Sequence, residues 1–288
     1  MNLFTIENLR CSYEKSFHEN ISKVVLEIKH LQLERGKKIF IVGESGIGKS
    51  TILETLGMMN NTIVPDESTR FVFHDIDGKE TDLCRLWRDS DEHLSRFRLI
   101  HYSFIFQSTN LMRNFTAYEN VAYTRMLQDY SRESCFQETR KVLEKLGLEH
   151  VDEKRLPHEL SGGQQQRLAF ARAIIPEFTV LFGDEPTGNL DPENAIKVMQ
   201  IIADKVDERQ DASAIIVSHD MHLATNFADV IIKIYKAIRP KQHHDDEDIS
   251  YGIIDDDCVF RPNETRTIWT SGNMSLPTNE FEEYLRKK

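Results

Sequence analysis

No stretch of this sequence approaches the roughly 20 consecutive apolar residues with which a helix crosses a bilayer. The longest apolar runs are IFIVG, VLFG, SAIIVSH and VIIKIY. The chain is therefore expected to form no membrane pore by itself, although it can dock on a protein that does. Basic charge is also scarce, with 36 Lys and Arg against 47 Asp and Glu, a formal net charge of -11. Duplex binding rests on a basic footprint, so this balance argues against direct nucleic-acid contact, a local patch aside. The four cysteines, Cys11, Cys84, Cys135 and Cys258, stand far apart. They have neither paired metal-ligand spacing nor the density of a disulfide scaffold, which fits a reducing compartment. The opening MNLFTIENLRCSYEK has no basic patch before an apolar core and does not read as a secretory signal. With 288 residues, 40% of them hydrophobic, the chain can bury one sizeable core and carry a small appendage.

What is present alternates between strand and helix patterns. Residues 3–9 and 21–33 read as strands, 34–37 as a turn, 38–42 as a short apolar strand and 50–59 as the helix after it. Residues 60–98 are polar and less regular, with a strand at 71–74 and a DIDGKE turn. An apolar strand is expected at 100–107, and helices at 117–128, at 131–146 and from just after 161–163 to about 175. Buried strands follow at 179–182 and 212–217, with helices at 195–208 and 222–227 and a strand at 230–235. This alternation predicts an α/β chain with a largely parallel core sheet covered on both faces. From 240 the character changes. Residues 240–288 hold 6 Lys and Arg against 11 Asp and Glu. They read as a tail or a small appended unit, with a short strand from Thr265 and a terminal helix at 280–286.

Two local patterns carry chemistry. GESGIGKST, at 43–51, matches G-x-x-x-x-G-K-[ST] between a strand and a helix. The backbone N–H groups of Gly43, Glu44, Ser45, Gly46, Ile47, Gly48, Lys49, Ser50 and Thr51 can surround a phosphate at the positive end of the helix. Lys49 adds charge for the β- and γ-phosphates, and Ser50 is a Mg²⁺ ligand candidate. Farther on, VLFGDE sets Asp184 and Glu185 at the end of a buried strand. Asp184 suits the water shell of Mg²⁺, and Glu185 the general base for an attacking water. Alone, the phosphate loop indicates only a purine nucleotide. No N-K-x-D motif is present, which argues against a GTPase.

LSGGQQQR, at 160–167, narrows the reading. Over roughly residues 1–239 the chain resembles ABC-type ATPase domains. The resemblance implies a P-loop fold of ABC type with a mainly parallel core sheet, an N-terminal antiparallel β region and a helical signature subdomain at about 109–176. Residues 240–288 are then an acidic C-terminal extension. It implies ATP and Mg²⁺, with Lys49, Gln107, Glu185 and His219 catalytic and Ser50, Gln107 and Asp184 at the metal. Tyr13 matches the aromatic residue that stacks on adenine, with Phe17 close enough to compete. Ser161, Gly163 and Gln164 would complete the nucleotide site of a second subunit in a head-to-tail pair, and Asp191 of GNLD would line their interface. One position departs from the family pattern: Ile47 stands where a small residue is usual between the last two loop glycines. Its N–H still serves phosphate, but its β-branched side chain needs a seat.

DEPTGNLD, with Phe106-Gln107 and a downstream YENV, resembles the branch serving macrolide-type exporters, lipoprotein-release systems and the division-associated ABC complex. That branch implies membrane permease partners with large extracytoplasmic domains, a peripheral place on the cytoplasmic face of the inner membrane, and export or mechanotransmission driven by ATP hydrolysis. Residues 111–118, LMRNFTAY, resemble the groove that receives a permease helix. The alternative is a soluble ABC ATPase working on nucleic acid or ribosomes. Against it stand the acidic balance, the lack of a long heptad run and the single set of motifs. The stretch between the phosphate loop and Gln107 is longer and more charged than the family's compact form. Like the tail, it reads as an accessory surface or a solvated extension.

Overall fold

The computed structural model describes residues 1–13, 24–188, 190–209, 211–239 and 249–287. Phe17, the start of the strand read at 21–33, Asn189 of GNLD and the most acidic part of the tail, 240–248, lie outside these residues. Numbered along the chain, one sheet holds β1 (Asn2–Ser12), β2 (Val24–Glu34), β4 (Arg70–His74), β5 (Glu80–Asp82), β10 (Tyr235–Arg239) and β11 (Ile249–Ile254). Their order is β10-β11-β2-β1-β4-β5. Its pairings are antiparallel except that β11 runs parallel to β2, with Gly252 opposite Leu26. The core sheet holds β3 (Lys38–Val42), β6 (Tyr102–Ile105), β7 (Val180–Asp184), β8 (Ser213–Val217), β9 (Val230–Lys233), β12 (Val259–Pro262), β13 (Ile268–Ser271) and β14 (Met274–Pro277). They run in the order β14-β13-β12-β9-β3-β8-β7-β6.

The five strands β9-β3-β8-β7-β6 are parallel. Every residue of β3 and β8 is buried, the signature of a sheet covered on both faces. Because side chains alternate across a strand, each central strand feeds two cores. Phe40 and Val42 of β3 enter one core with Ala214, Ile216 and Leu181. Ile39 and Ile41 enter the other with Ile215, Val217, Val180 and Phe182. The second core lies between the two sheets and takes in α1 (Lys49–Leu56) through Ile52, Leu53 and Leu56. The first is covered by α4 (Ala117–Met126), α5 (Arg132–Lys145), α6 (Gly162–Ile174), α7 (Pro192–Glu208) and α8 (Met221–Phe227). The cap residues explain where these helices start. Thr116 and Ser161 open α4 and α6 with full capping boxes, and Ser131 and Asp191 accept a backbone N–H at the starts of α5 and α7.

Two expectations are corrected. The strand read at 100–107 begins only at Tyr102, because α3 (Asp91–His101) occupies the preceding stretch, capped by Ser90 and with Asp91 and Glu92 in its first turn. The short helix α2 (Leu83–Leu86) precedes it. Phe97 of α3 meets Phe73 and Tyr102 edge-on at 5.2 Å, so the charged insertion is seated on the second core by an aromatic contact. The described part of the tail, 249–287, is likewise built in. β11 joins the first sheet and β12 pairs with β9, while α9 (Thr278–Arg286) packs against α8. Phe260, Trp269, Phe281 and Leu285 enter the first core; Ile254, Cys258 and Val259 enter the second.

Trp269 is fully buried and stacked on Phe281 at 5.0 Å. Replacing it with alanine is expected to cost about 3–5 kcal/mol in guanidinium unfolding of the full chain. A loss under about 1 kcal/mol, typical of a surface site, would contradict the integration of this segment.

Candidate functional site

Strand register assembles the site. Ile41 of β3 lies opposite Val217 of β8, Val217 opposite Asp184 of β7, and Gly183 opposite Ile105 of β6. The four strands thus end at one edge of the sheet, and Gly43, Glu185, Ser218 and Phe106 continue from there. Carboxyl ends of parallel strands are where open α/β sheets bind ligands.

From β3 the chain turns through Gly46 (φ 77°) and Gly48 (φ 105°) into α1. These left-handed angles suit glycine, which has no Cβ to clash. Gly48 is the cap residue of α1 and offers no side-chain cap, so the first N–H groups of the helix are left for a ligand. Lys49 is 6% exposed, and its Nζ donates to the carbonyls of Gly43 at 2.9 Å and Glu44 at 2.7 Å. The ammonium thereby closes the loop on itself. Ile47 finds the seat its shape requires, in the second core beside Leu26 and Ile234. Ser50 and Thr51 continue into α1, and Thr51 Oγ1 lies 3.0 Å from the hydroxyl of Tyr13. That contact holds the largely exposed tyrosine ring at the entrance to the helix.

The acids arrive from β7. Ser50 Oγ donates to Asp184 Oδ2 at 3.2 Å. A hydroxyl and a carboxylate are the hard oxygen donors Mg²⁺ prefers, with phosphate and water completing its shell. Among the described residues no cluster of three or more His, Cys, Asp or Glu could hold a metal by itself. The pair therefore fits a cation that comes with a phosphate. Glu185 has φ 50°, an uncommon conformation for a non-glycine residue. Its N–H donates to Val217 O at 3.0 Å, and its carbonyl accepts from Gly188 N at 3.1 Å. Its Oε1 lies 2.8 Å from Nε2 of His219, which follows β8. A cavity of about 570 Å³ opens beside this pair, lined among others by Gly188, Leu190, Ser218 and Arg286.

Other expected residues stand apart. Gln107 is exposed just beyond β6, level with Glu185 by register but without a bond to it. Ser161 and Gln164 cap each other at the start of α6, at 3.3 and 2.9 Å, and Gln164 Nε2 meets His150 at 3.0 Å. A Cβ built on Gly162 or Gly163 would touch nothing within 4 Å, so the chain's own packing gives no reason for glycine there. Asp191 spends both carboxylate oxygens on Asn194, at 3.0 and 2.6 Å. Its role within the chain is to cap α7, and the same bonds hold its carboxyl below the usual range.

Comparison with known proteins agrees with this geometry. Residues 26–188 match the family model described as ABC transporter. The chain belongs to the ABC transporter family. It is 32% identical to the lipoprotein-releasing system ATP-binding protein LolD of Colwellia psychrerythraea, over 80% of this chain and 84% of the relative. To LolD of Myxococcus xanthus it is 35% identical, over 78% and 92%. It is also 35% identical to the macrolide export ATP-binding/permease protein MacB of Aggregatibacter actinomycetemcomitans, over 81% of this chain and 33% of that longer protein. A solved dimeric ATP-binding cassette in a post-hydrolysis state, bound to ADP and Pi, superposes with TM-score 0.64 at 27% identity, over 80% and 94% of the two chains. This chain is thus an ATP-binding, ATP-hydrolysing subunit with the P-loop ABC fold.

Two residues that no sequence motif announced reach this ABC ATPase's site from the C-terminal segment, Gly252 and Arg286. Gly252 arrives by the pairing of β11 with β2, and Arg286 at the end of α9, which packs on α8. The charges of the site oppose one another's burial. Burial raises the Asp184 carboxyl, opposed by the Ser50 hydrogen bond and reinforced by Glu185. Burial lowers the Lys49 ammonium, opposed by Glu185 and Asp184. A cation on the acids and an anion on Lys49 would relieve both.

Asp184 holds its proton more tightly folded than unfolded, so its ionisation costs stability. That cost grows as pH rises from the usual aspartate range through the raised folded value, and it persists at neutral pH. Without nucleotide, Asp184→Asn is therefore expected to melt above the parent at neutral pH and level with it in acid, by calorimetry. It is also expected to lose the extra stabilisation that Mg²⁺ and ATP together give the parent. An unliganded variant no more stable than the parent at neutral pH would contradict this reading.

Proposed function

We propose that this ABC ATPase works as a head-to-tail pair of chains that drives a membrane partner from the cytoplasmic face of the membrane. The observation that carries the pairing is the division of the site. Lys49, Ser50, Asp184, Glu185 and His219 converge at one sheet edge, whereas Ser161 and Gly163, exposed, and Gln164, half-buried, form the capped start of α6 with no bond to them. In a head-to-tail pair the N-terminal end of α6 on one chain faces the phosphates held by the other. Asp191 lies at the start of α7 beside the cavity at Glu185, within reach of the same junction.

Within each half, the loop amides and Lys49 bind the β- and γ-phosphates of ATP, and Tyr13 packs on the adenine. Ser50 and Asp184 would hold Mg²⁺, with Gln107 joining them from the end of β6; the metal supplies charge neutralisation at the phosphates. Glu185 takes the proton of the attacking water, and His219, 2.8 Å from its carboxylate, orients that base. A closed pair that binds ATP more tightly than the open one converts each turnover into a two-state movement.

A groove of about 320 Å³ supports a membrane partner. Leu99, Phe104, Phe106, Met112, Leu127 and Arg172 line it. Phe106 and Leu127 are 38% and 46% exposed, and Tyr123 and Met126 widen the apolar surface. Of the stretch 111–118, read as resembling such a groove, Met112 lines this one, while Ala117 and Tyr118 are in the core. Arg172 fastens the segment after Gln107 by donating to the carbonyls of Thr109 and Asn110, at 2.8 and 2.7 Å. Phe106 stacks on Phe104 at 5.8 Å, and Phe104 on Phe182 at 5.3 Å. The groove is therefore in aromatic contact with the strand that bears Asp184. No helix among the described residues is long and apolar enough to cross a membrane. MacB carries ATP-binding and permease functions in one name, and LolD belongs to a releasing system. By likeness, the partner here is a permease with large extracytoplasmic domains that works in export or mechanical release.

Purification of the tagged full chain in mild detergent, with mass spectrometry of what accompanies it, tests this. A multidomain membrane protein is expected with the parent, and Leu127→Glu is expected to lose it while ATP binding stays within about twofold, because surface changes away from the site cost little. A nucleic-acid or ribosomal assembly in its place would overturn the proposal.

A further inference from the structure

The C-terminal segment touches the phosphate loop at a point where no side chain fits. A Cβ built on Gly252 of β11 would lie 2.3 Å from the carbonyl oxygen of Ile47, 2.8 Å from Ile234 and 3.0 Å from Leu26. Distances below 3.0 Å to a backbone atom require movement. β11 has little freedom to move, being paired on one side with β10, Lys236 opposite Gly252, and on the other with β2, Leu26 opposite Gly252. The loop rests on the same residues. A Cβ on Gly43 would meet Ile47 at 3.1 Å and the Ile234 carbonyl at 3.2 Å, and one on Gly48 would meet Leu26 at 3.5 Å. Ile234 N donates to Val42 O at 2.9 Å, immediately before the loop begins.

A second contact comes from the end of the same segment. Lys233 Nζ donates to the carbonyls of Tyr284 at 2.8 Å and Lys287 at 3.2 Å, and lies 4.1 Å from the centre of the Tyr284 ring. It thereby binds the carbonyl end of α9, the favoured place for a cation on a helix. The loop residue Glu44 is among its charged neighbours. The loop is thus supported by β11 at Ile47, with Lys233 standing between Glu44 and the end of α9.

From this placement we infer that β11, through Gly252, is a positioning element of the nucleotide site: it sets the height of the phosphate loop at Ile47, and the β-branched residue in the loop is matched to that floor. Gly252 touches no substrate. Its absent side chain lets β11 support the backbone whose N–H groups bind phosphate. The inference rests on the reading of 43–51 as the phosphate site.

The test compares MgATP binding and turnover for the full chain and three variants. Gly252→Ala is expected to raise Kd and KM for MgATP on the order of tenfold to a hundredfold, the scale of a displacement of about 1 Å, with kcat at saturation much less affected. Gly272→Ala strains the same segment at a left-handed turn (φ 52°), where its Cβ meets Asp257 at 2.8 Å and no other residue within 4 Å. It is expected to lower the melting temperature without changing MgATP affinity. Lys49→Ala tests the underlying site and is expected to lose MgATP binding. If Lys49→Ala loses binding while Gly252→Ala binds like Gly272→Ala, the positioning role is overturned and the phosphate site stands. If Lys49→Ala binds like the parent, the site reading itself falls. Hydrogen exchange on the unaltered chain needs no substitution: MgATP is expected to slow exchange at 249–254 together with 43–51. Slowing confined to 43–51 overturns the inference.

Discussion

The shared register of β3, β8, β7 and β6 is the constraint on which the site depends. Ile41, Val217 and Asp184 lie level across three strands, and Ile105 lies level with Gly183. One edge of the sheet therefore delivers the phosphate loop, two acids, a histidine and the glutamine segment from four distant parts of the chain. A slip of one residue in any pairing would also turn that strand's core-facing side chains to the wrong core. The two apolar cores, fed alternately by the same strands, are thus what hold the chemistry in register.

Within that frame the site is built against local stability. Asp184 is driven toward its neutral form by burial, and Lys49 likewise. Glu185 keeps a left-handed backbone by bonds to Val217 and Gly188. Such strain persists where the surroundings over-determine it, and it is characteristic of sites that await charge from a ligand. α1 points its uncapped start at the same place.

Much of this was legible in the sequence because its signals are local. The phosphate loop shows in the spacing of its glycines, the acids in their place after a buried run, and α6 in its capping box at Ser161 and Gln164. The family resemblance added His219, whose contact with Glu185 no local pattern reveals. Illegible were features made by distant pairing. α3 buries no residue fully, and its packed side chains, Leu94 and Phe97, stand among charged neighbours that hide the pattern. The joining of β11 to β2 and of β12 to β9 crosses more than 200 and about 30 residues of sequence, respectively. Gly252 is required by a carbonyl in a loop far upstream, so nothing beside it in the sequence explains it. Conversely, Asp191 and Gln107 were legible only as members of a family pattern. In the single chain one caps a helix and the other stands exposed.

The central claim is that each nucleotide site is completed by a second chain. Mixing two inactive variants tests it most directly. Glu185→Gln removes the proposed base from one half-site, and Ser161→Arg is designed to block the exposed start of α6. In a mixed pair, one site carries both defects and the other carries neither. ATP hydrolysis is therefore predicted to reappear when the two purified variants are combined, although each alone is inactive. A mixture as inactive as its components, under conditions where the parent chain hydrolyses ATP and the variants form mixed pairs, would contradict completion in trans.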